Sequence, residues 1–196
     1  MPDATTGCFS PTAFYQETPS LNGSPPLVQV NIDYLNQAAQ LVEGLSDAVF
    51  RNNALPPFNS GVGKHLRHIL DFYAAFLTRS EGRIDYDRRL RDARVEAERP
   101  AAVASIQSVC AALASIKDLD ETVWSSNDET AGAPMGSRYR QSTIGRELQF
   151  LASHTVHHFA MIAFLLHAQG VAVPKAFGVA PSTLTHWIQT GSGPPG

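Results

Sequence analysis

The chain has 196 residues, of which 43% are hydrophobic and 17% charged, with a net charge of −3. That length and composition fit one soluble domain with a sizeable core. The weak negative charge gives no reason to expect nucleic acid or an anionic membrane surface as a partner, and no stretch reaches the roughly 20 uncharged apolar residues of a membrane span.

Residues 1–28 carry Pro2, Pro11, Pro19, Pro25 and Pro26 among scattered Gly, Ser and Thr, which predicts a mobile N-terminal arm. The arm lacks the basic, then apolar, pattern of a secretion signal. Cys8 and Cys110 lie far apart, outside any CxxC or disulfide framework, and a cytoplasmic location is the expectation. A folded domain is expected over 29–190, followed by a frayed tail at 191–196, "GSGPPG".

Within that domain the apolar spacing predicts four helices. The first runs from Val30 to Phe50 on Leu35, Ala38, Ala39, Val42, Leu45 and Val49. "PPFNSG" interrupts the chain, and Ser60 is a candidate N-cap. The second helix, 61–79, presents Val62, Leu66, Ile69, Tyr73 and Phe76 as one stripe. "EGRIDYDRRLRDARVEAER" follows as a charged connection, too polar for the core. Pro100 suits the first turn of the third helix, which carries Val103, Ile106, Val109, Cys110, Leu113 and Ile116. Residues 120–141 read as a loop in which "TVWSS" and "SRYRQS" make a short hairpin. The fourth helix starts at Ser142 or Thr143 and runs to Gln169, with Gly170 as its C-cap. The expected fold class is all-α, an up-and-down four-helix bundle with one short hairpin between helices 3 and 4.

The fourth helix holds the chemistry, in "LASHTVHHFAMIAFLL". At about 100° per residue, His154 and His158 differ by about 40° and roughly 6 Å of rise, and both fall within or beside the stripe of Ile144, Leu148, Leu151, Ile162, Leu165 and Leu166. His157 lies roughly 100° away from His158, on the flank. Two imidazoles one turn apart can reach one ion at about 2.0–2.1 Å. The pair still lacks a third ligand, and the other close histidines are His65 and His68 in "GKHLRHILDFY". Hydrogen-bonded core histidines are the alternative. However, neutral or charged imidazoles crowded together in apolar surroundings are costly. The second cluster on another helix therefore favours metal.

"SGVGKHLRHILDFY", followed at a distance by "STIGRELQFLASHTVHHFAMIA", resembles the DinB/YfiT-like superfamily of metal-binding four-helix bundles. The resemblance covers roughly 30–187 and extends to the linker "IDYDRRLRD" and the ending "FGVAPSTLTHW". It implies a three-histidine site made of His68, His154 and His158. Periodicity alone puts His65 nearer the centre of its stripe. The register after Ser60 and Gly63, and the likeness of "HLRH" to the W-H-L-x-H of ergothioneine-synthase domains, favour His68. His65, His157 and Glu147 are then neighbours of the site or alternative ligands. The resemblance also marks Arg89 and Arg91, whose guanidinium groups can grip a substrate carboxylate.

Three neutral imidazoles leave a divalent ion (Zn, Ni or Fe) its charge and an open position. The resemblance implies thiol-dependent transfer, isomerisation or hydrolysis on a small-molecule substrate, with a low-molecular-weight thiol as partner, and homodimers are common in such folds. The rival reading is a non-catalytic helical module with a structural or sensing metal. An interaction bundle without metal is the third. H-E-x-x-H is absent, no glutamate has a histidine three residues later, and no P-loop, G-x-G-x-x-G or nucleophile elbow occurs.

Overall fold

Apolar residues at helical spacing build four long helices, α1 (Pro26–Gly44), α3 (Val62–Leu77), α5 (Arg99–Leu113) and α6 (Ile144–Ala168), in a computed structural model that describes residues 23–54, 59–127 and 138–192. Most of the Pro-rich arm, part of the "PPFNSG" break, the centre of the hairpin loop and the end of the tail lie outside those residues. α1 packs on α5, α5 on α3, α3 on α6 and α6 on α1, which closes a ring around one core. The stripes read from the sequence fill it: Leu35 and Val42, Leu66, Ile69, Tyr73 and Phe76, Ile106 and Leu113, and Leu148 and Leu151 are all buried.

The fold is mostly helical but more than a four-helix bundle. The predicted first helix is two: α1 begins at Pro26 and ends at Gly44, and Ser46 caps a separate short helix, α2 (Asp47–Arg51), by accepting from the Val49 N–H. Ser60 does not cap the second helix, because Gly61 holds that position without a side-chain bond. The hairpin forms as β2 (Thr122–Ser126) against β3 (Arg140–Thr143), antiparallel, with Thr122 opposite Thr143. A third strand, β1 (Arg83–Asp85), pairs parallel with β2. The charged connection is therefore not wholly outside the core. Ile84 and Tyr86 alternate inward, Val95 is buried from a short helix, α4 (Ala93–Ala97), and Val123 of β2 is buried in the same core.

β3 runs directly into α6, whose cap is Thr143 accepting from the Arg146 N–H. After Gly170 the chain returns along α6 to α7 (Pro181–Thr190). Gly178 makes that return, with φ +75° and no room for a Cβ, which would stand 2.5 Å from the Ala160 nitrogen.

A buried polar chain fixes how the helices are rotated against one another. Tyr73 of α3 donates to Asn31 Oδ1 of α1 at 2.7 Å, and its oxygen lies 3.2 Å from Thr155 Oγ1 of α6. Asn31 donates in turn to the carbonyls of Leu27 and Leu148. Asn31 and Thr155 are 0% exposed, so water cannot replace a lost partner. Tyr73→Phe is expected to cost about 1–3 kcal/mol in urea unfolding, because it strands the Asn31 oxygen.

Candidate metal centre

The same polar chain sets the site. With Thr155 held toward Tyr73, the next positions on α6, His154 and His158, turn toward α3, where His65 and His68 lie. Gly63, at the start of α3, lets α4 approach, since a Cβ there would stand 2.1 Å from the Glu96 carbonyl oxygen. That approach seats Glu96 on Arg67 Nε at 2.9 Å, while Arg67 Nη1 reaches Asp71 at 2.7 Å. Arg67 is thus an interior clamp with a side chain 19% exposed, rather than the solvated surface residue its charge suggests.

One nitrogen from each of His68, His154 and His158 lies within 4.8 Å of the other two. Their ring centroids are 4.5–5.0 Å apart. His65 stands beside them, with its Nδ1 2.9 Å from Nδ1 of His158. His157 is exposed, and its ring is 5.2 Å from that of His158.

Burial first, then neighbouring positive charge, holds these imidazoles neutral. His68 and His154 are pushed down to about 4, and His158 to about 3. His65 is lowered as well, by burial and then by His157. The charge of Arg89 is felt at both His68 and His154.

The donor set fits a divalent ion. Nε2 of His154 is buried and meets no hydrogen-bond partner among the described residues, an arrangement that costs free energy unless something occupies it. Three neutral nitrogens and no carboxylate in the set suit Zn, Ni or Fe alike, without choosing between them.

The other sequence candidates fall into place around this centre. The Glu147 carboxylate, buried in α6, accepts from the Tyr86 hydroxyl at 2.8 Å rather than from an imidazole. Arg89 lies with Cζ 4.7 Å from the centroid of the Phe72 ring. The Arg91 side chain is exposed, whereas its backbone N–H helps to hold the Asp71 carboxylate ionised. Phe72 is the residue that sequence reasoning passed over. Its ring is 4.3 Å from that of His154, 4.9 Å from His68 and 5.2 Å from Tyr86, so it walls the site. The signal was its position one helical turn after His68.

Comparison with known proteins agrees with this geometry. Residues 35–162, more than half of the chain, match the DinB superfamily. FK506-binding protein 5 of Rhizopus delemar is a curated relative, 34% identical over 110 residues. That match covers 53% of this chain and 27% of the relative, so the chain spans about a quarter of the relative's length. No solved structure matches. A bundle that gathers one histidine of α3 with an H-x-x-x-H pair of α6, inside a segment matched along that length, belongs to the DinB superfamily.

Proposed function

We propose that His68, His154 and His158 hold a divalent ion and that the chain is a metal-dependent enzyme acting on a small molecule. A thiol-dependent transferase, an isomerase or a hydrolase fits this reading. The observation that carries it is the converging set of three neutral imidazole nitrogens within 4.8 Å, with no carboxylate among them. Such a set leaves the ion its full charge and at least one open position. The ion would supply Lewis-acid chemistry toward a water, a carbonyl or a thiol.

The protein's own residues do the rest. Phe72 covers one side of the cluster, and Tyr86 stacks on Phe72 behind it. His65 engages Nδ1 of His158 and fixes that ring's orientation; with His158 as the donor of this bond, its Nε2 is left to offer to the ion. The Arg67 clamp, which ties Asp71 and Glu96, holds α3 against α4 one residue before His68.

A second reading is favoured by one contact. His65 is near enough to His158, at 2.9 Å between nitrogens, to turn toward the ion as a fourth ligand. That shell would be closed and structural rather than catalytic. X-ray absorption on the zinc-loaded chain separates the two. Three imidazoles plus a light exchangeable ligand support an enzyme, whereas four imidazoles support a structural site.

A further inference from the structure

The run "SHTVHH" puts a third histidine on α6 that the converging set does not use. His157 is exposed, its ring is 5.2 Å from that of His158, and no hydrogen bond ties it to the fold among the described residues. At about 100° per residue it lies roughly 60° to one side of His154, while His158 lies about 40° to the other. His154 therefore belongs to two overlapping pairs, an inward one with His158 at i, i+4 and an outer one with His157 at i, i+3. Positions three apart on a helix are neighbours, and an i, i+3 pair of side chains can serve one metal centre.

The two sides of the cluster differ in charge. His68 feels the guanidinium groups of Arg89 and Arg67, and His154 that of Arg89. The carboxylates on that side are already engaged, Asp71 with Arg67 at 2.7 Å and Glu96 with Arg67 at 2.9 Å. Around His65 and His158 the charged neighbours that are felt are other histidines, His157 among them. A dication thus meets repulsion on the guanidinium side and imidazole donors on the His157 side. It also arrives hydrated, whereas Nε2 of His154 is buried away from water. An exposed imidazole allows the first water to be exchanged outside, before the ion enters the half-buried set.

We infer that His157 is the landing ligand for the ion, which is held first by His157 and His154 at the rim of α6 and then passes to His158 and His68 as His157 lets go. Each exchange swaps one donor, a water or an imidazole, for another, so no proton or electron moves. The inference rests on the ion site proposed above and gives His157 no share in the final set. A residue that touches the ion only in transit lowers the barrier to entry and to exit alike, and leaves the equilibrium where it was.

The test follows Co(II) uptake by the full chain in a stopped-flow instrument, and its release into excess EDTA. Equilibrium affinity is read by competition with a chromophoric chelator. His157→Ala is expected to slow uptake about tenfold and release by the same factor, with Kd and stoichiometry unchanged. His157→Asp should restore fast uptake, since a carboxylate can also land a divalent ion. His167→Ala, at another exposed histidine of α6, should behave as the parent. Unchanged uptake by the alanine variant, equal slowing by His167→Ala, or an aspartate variant as slow as the alanine one would each overturn the inference and leave the ion site standing. A Kd weakened in His157→Ala would do the same, by making His157 part of the final set. Failure of the parent to take up Co(II) would remove both.

Discussion

Replacing His158 with Ala is expected to abolish retention of a divalent ion while leaving the helical content nearly intact. His158 is the centre of the cluster, with ring centroids 4.6 Å from His68, 4.5 Å from His154 and 5.2 Å from His65. Its removal leaves the proposed site two imidazoles, and two do not make a closed or catalytic site. α6 does not depend on this ring for its place in the fold. Its grip comes from Leu151, Thr155, Phe159 and Ile162, each at most 2% exposed, on the adjoining face. Alanine is also the better helix former. The loss of affinity should exceed the 10–100-fold typical of a residue that only supports a ligand, and that is the range expected for His65→Ala. Metal analysis after dialysis, with circular dichroism on the same samples, reads both effects. Thermal melting gives a third readout. Zinc at a hundredfold excess over its Kd should stabilise the parent by about 2.7 kcal/mol and the His158 variant hardly at all. A His158 variant that keeps zinc as tightly as the parent would refute the ligand assignment.

The parts of this molecule that could be read from its sequence are those in which the signal is local. The stripes of α3, α5 and α6 repeat within a few residues, and the hairpin strands sit at the ends of one loop. The break at Leu45 and Ser46 was legible in principle, since a serine followed by an acidic residue is a helix start, but the apolar spacing continues across it to Val49. β1 was not legible. It has three residues, and its partner β2 lies far along the chain in parallel register. Only the inward pair Ile84 and Tyr86 marks it, inside a run of charges. The Arg67 clamp shows the same limit, because its pairing with Asp71 is one helical turn away whereas Glu96 arrives from another helix. For the cluster itself, helix periodicity favoured His65, yet the set of three that converges is His68, His154 and His158, with His65 bonded to its flank. Rotation of α3 against α6 decides that, and the rotation is fixed by Tyr73, Asn31 and Thr155, a long-range contact that periodicity cannot see.

Acid should destabilise the metal-free protein in a window that identifies the imidazoles. His68 and His154 are held at about 4 and His158 at about 3, against an ordinary value of 6.5, and His65 is lowered too. A histidine whose native pKa is depressed binds its proton more readily in the unfolded chain, so unfolding takes up protons and stability falls as pH falls. The contribution is fully present above 6.5 and is lost progressively as the pH descends from there toward 4. Asp71 acts with the opposite sign, since burial pushes its carboxyl up, but it does so from an ordinary value of 3.8. The upper part of the window, between about pH 6.5 and 5, therefore belongs to the histidines. The four rings repel one another and are only half-buried, so they titrate as a set rather than one by one. Urea unfolding at a series of pH values should give a slope corresponding to an uptake on the order of two protons near pH 5.5. The double variant His154→Ala/His158→Ala should flatten that slope and be more stable than the parent at pH 5 without metal. Parallel pH profiles for parent and double variant would mean that the rings are not held neutral by their crowding. In that event a ready-made seat for a cation would have lost its electrostatic basis.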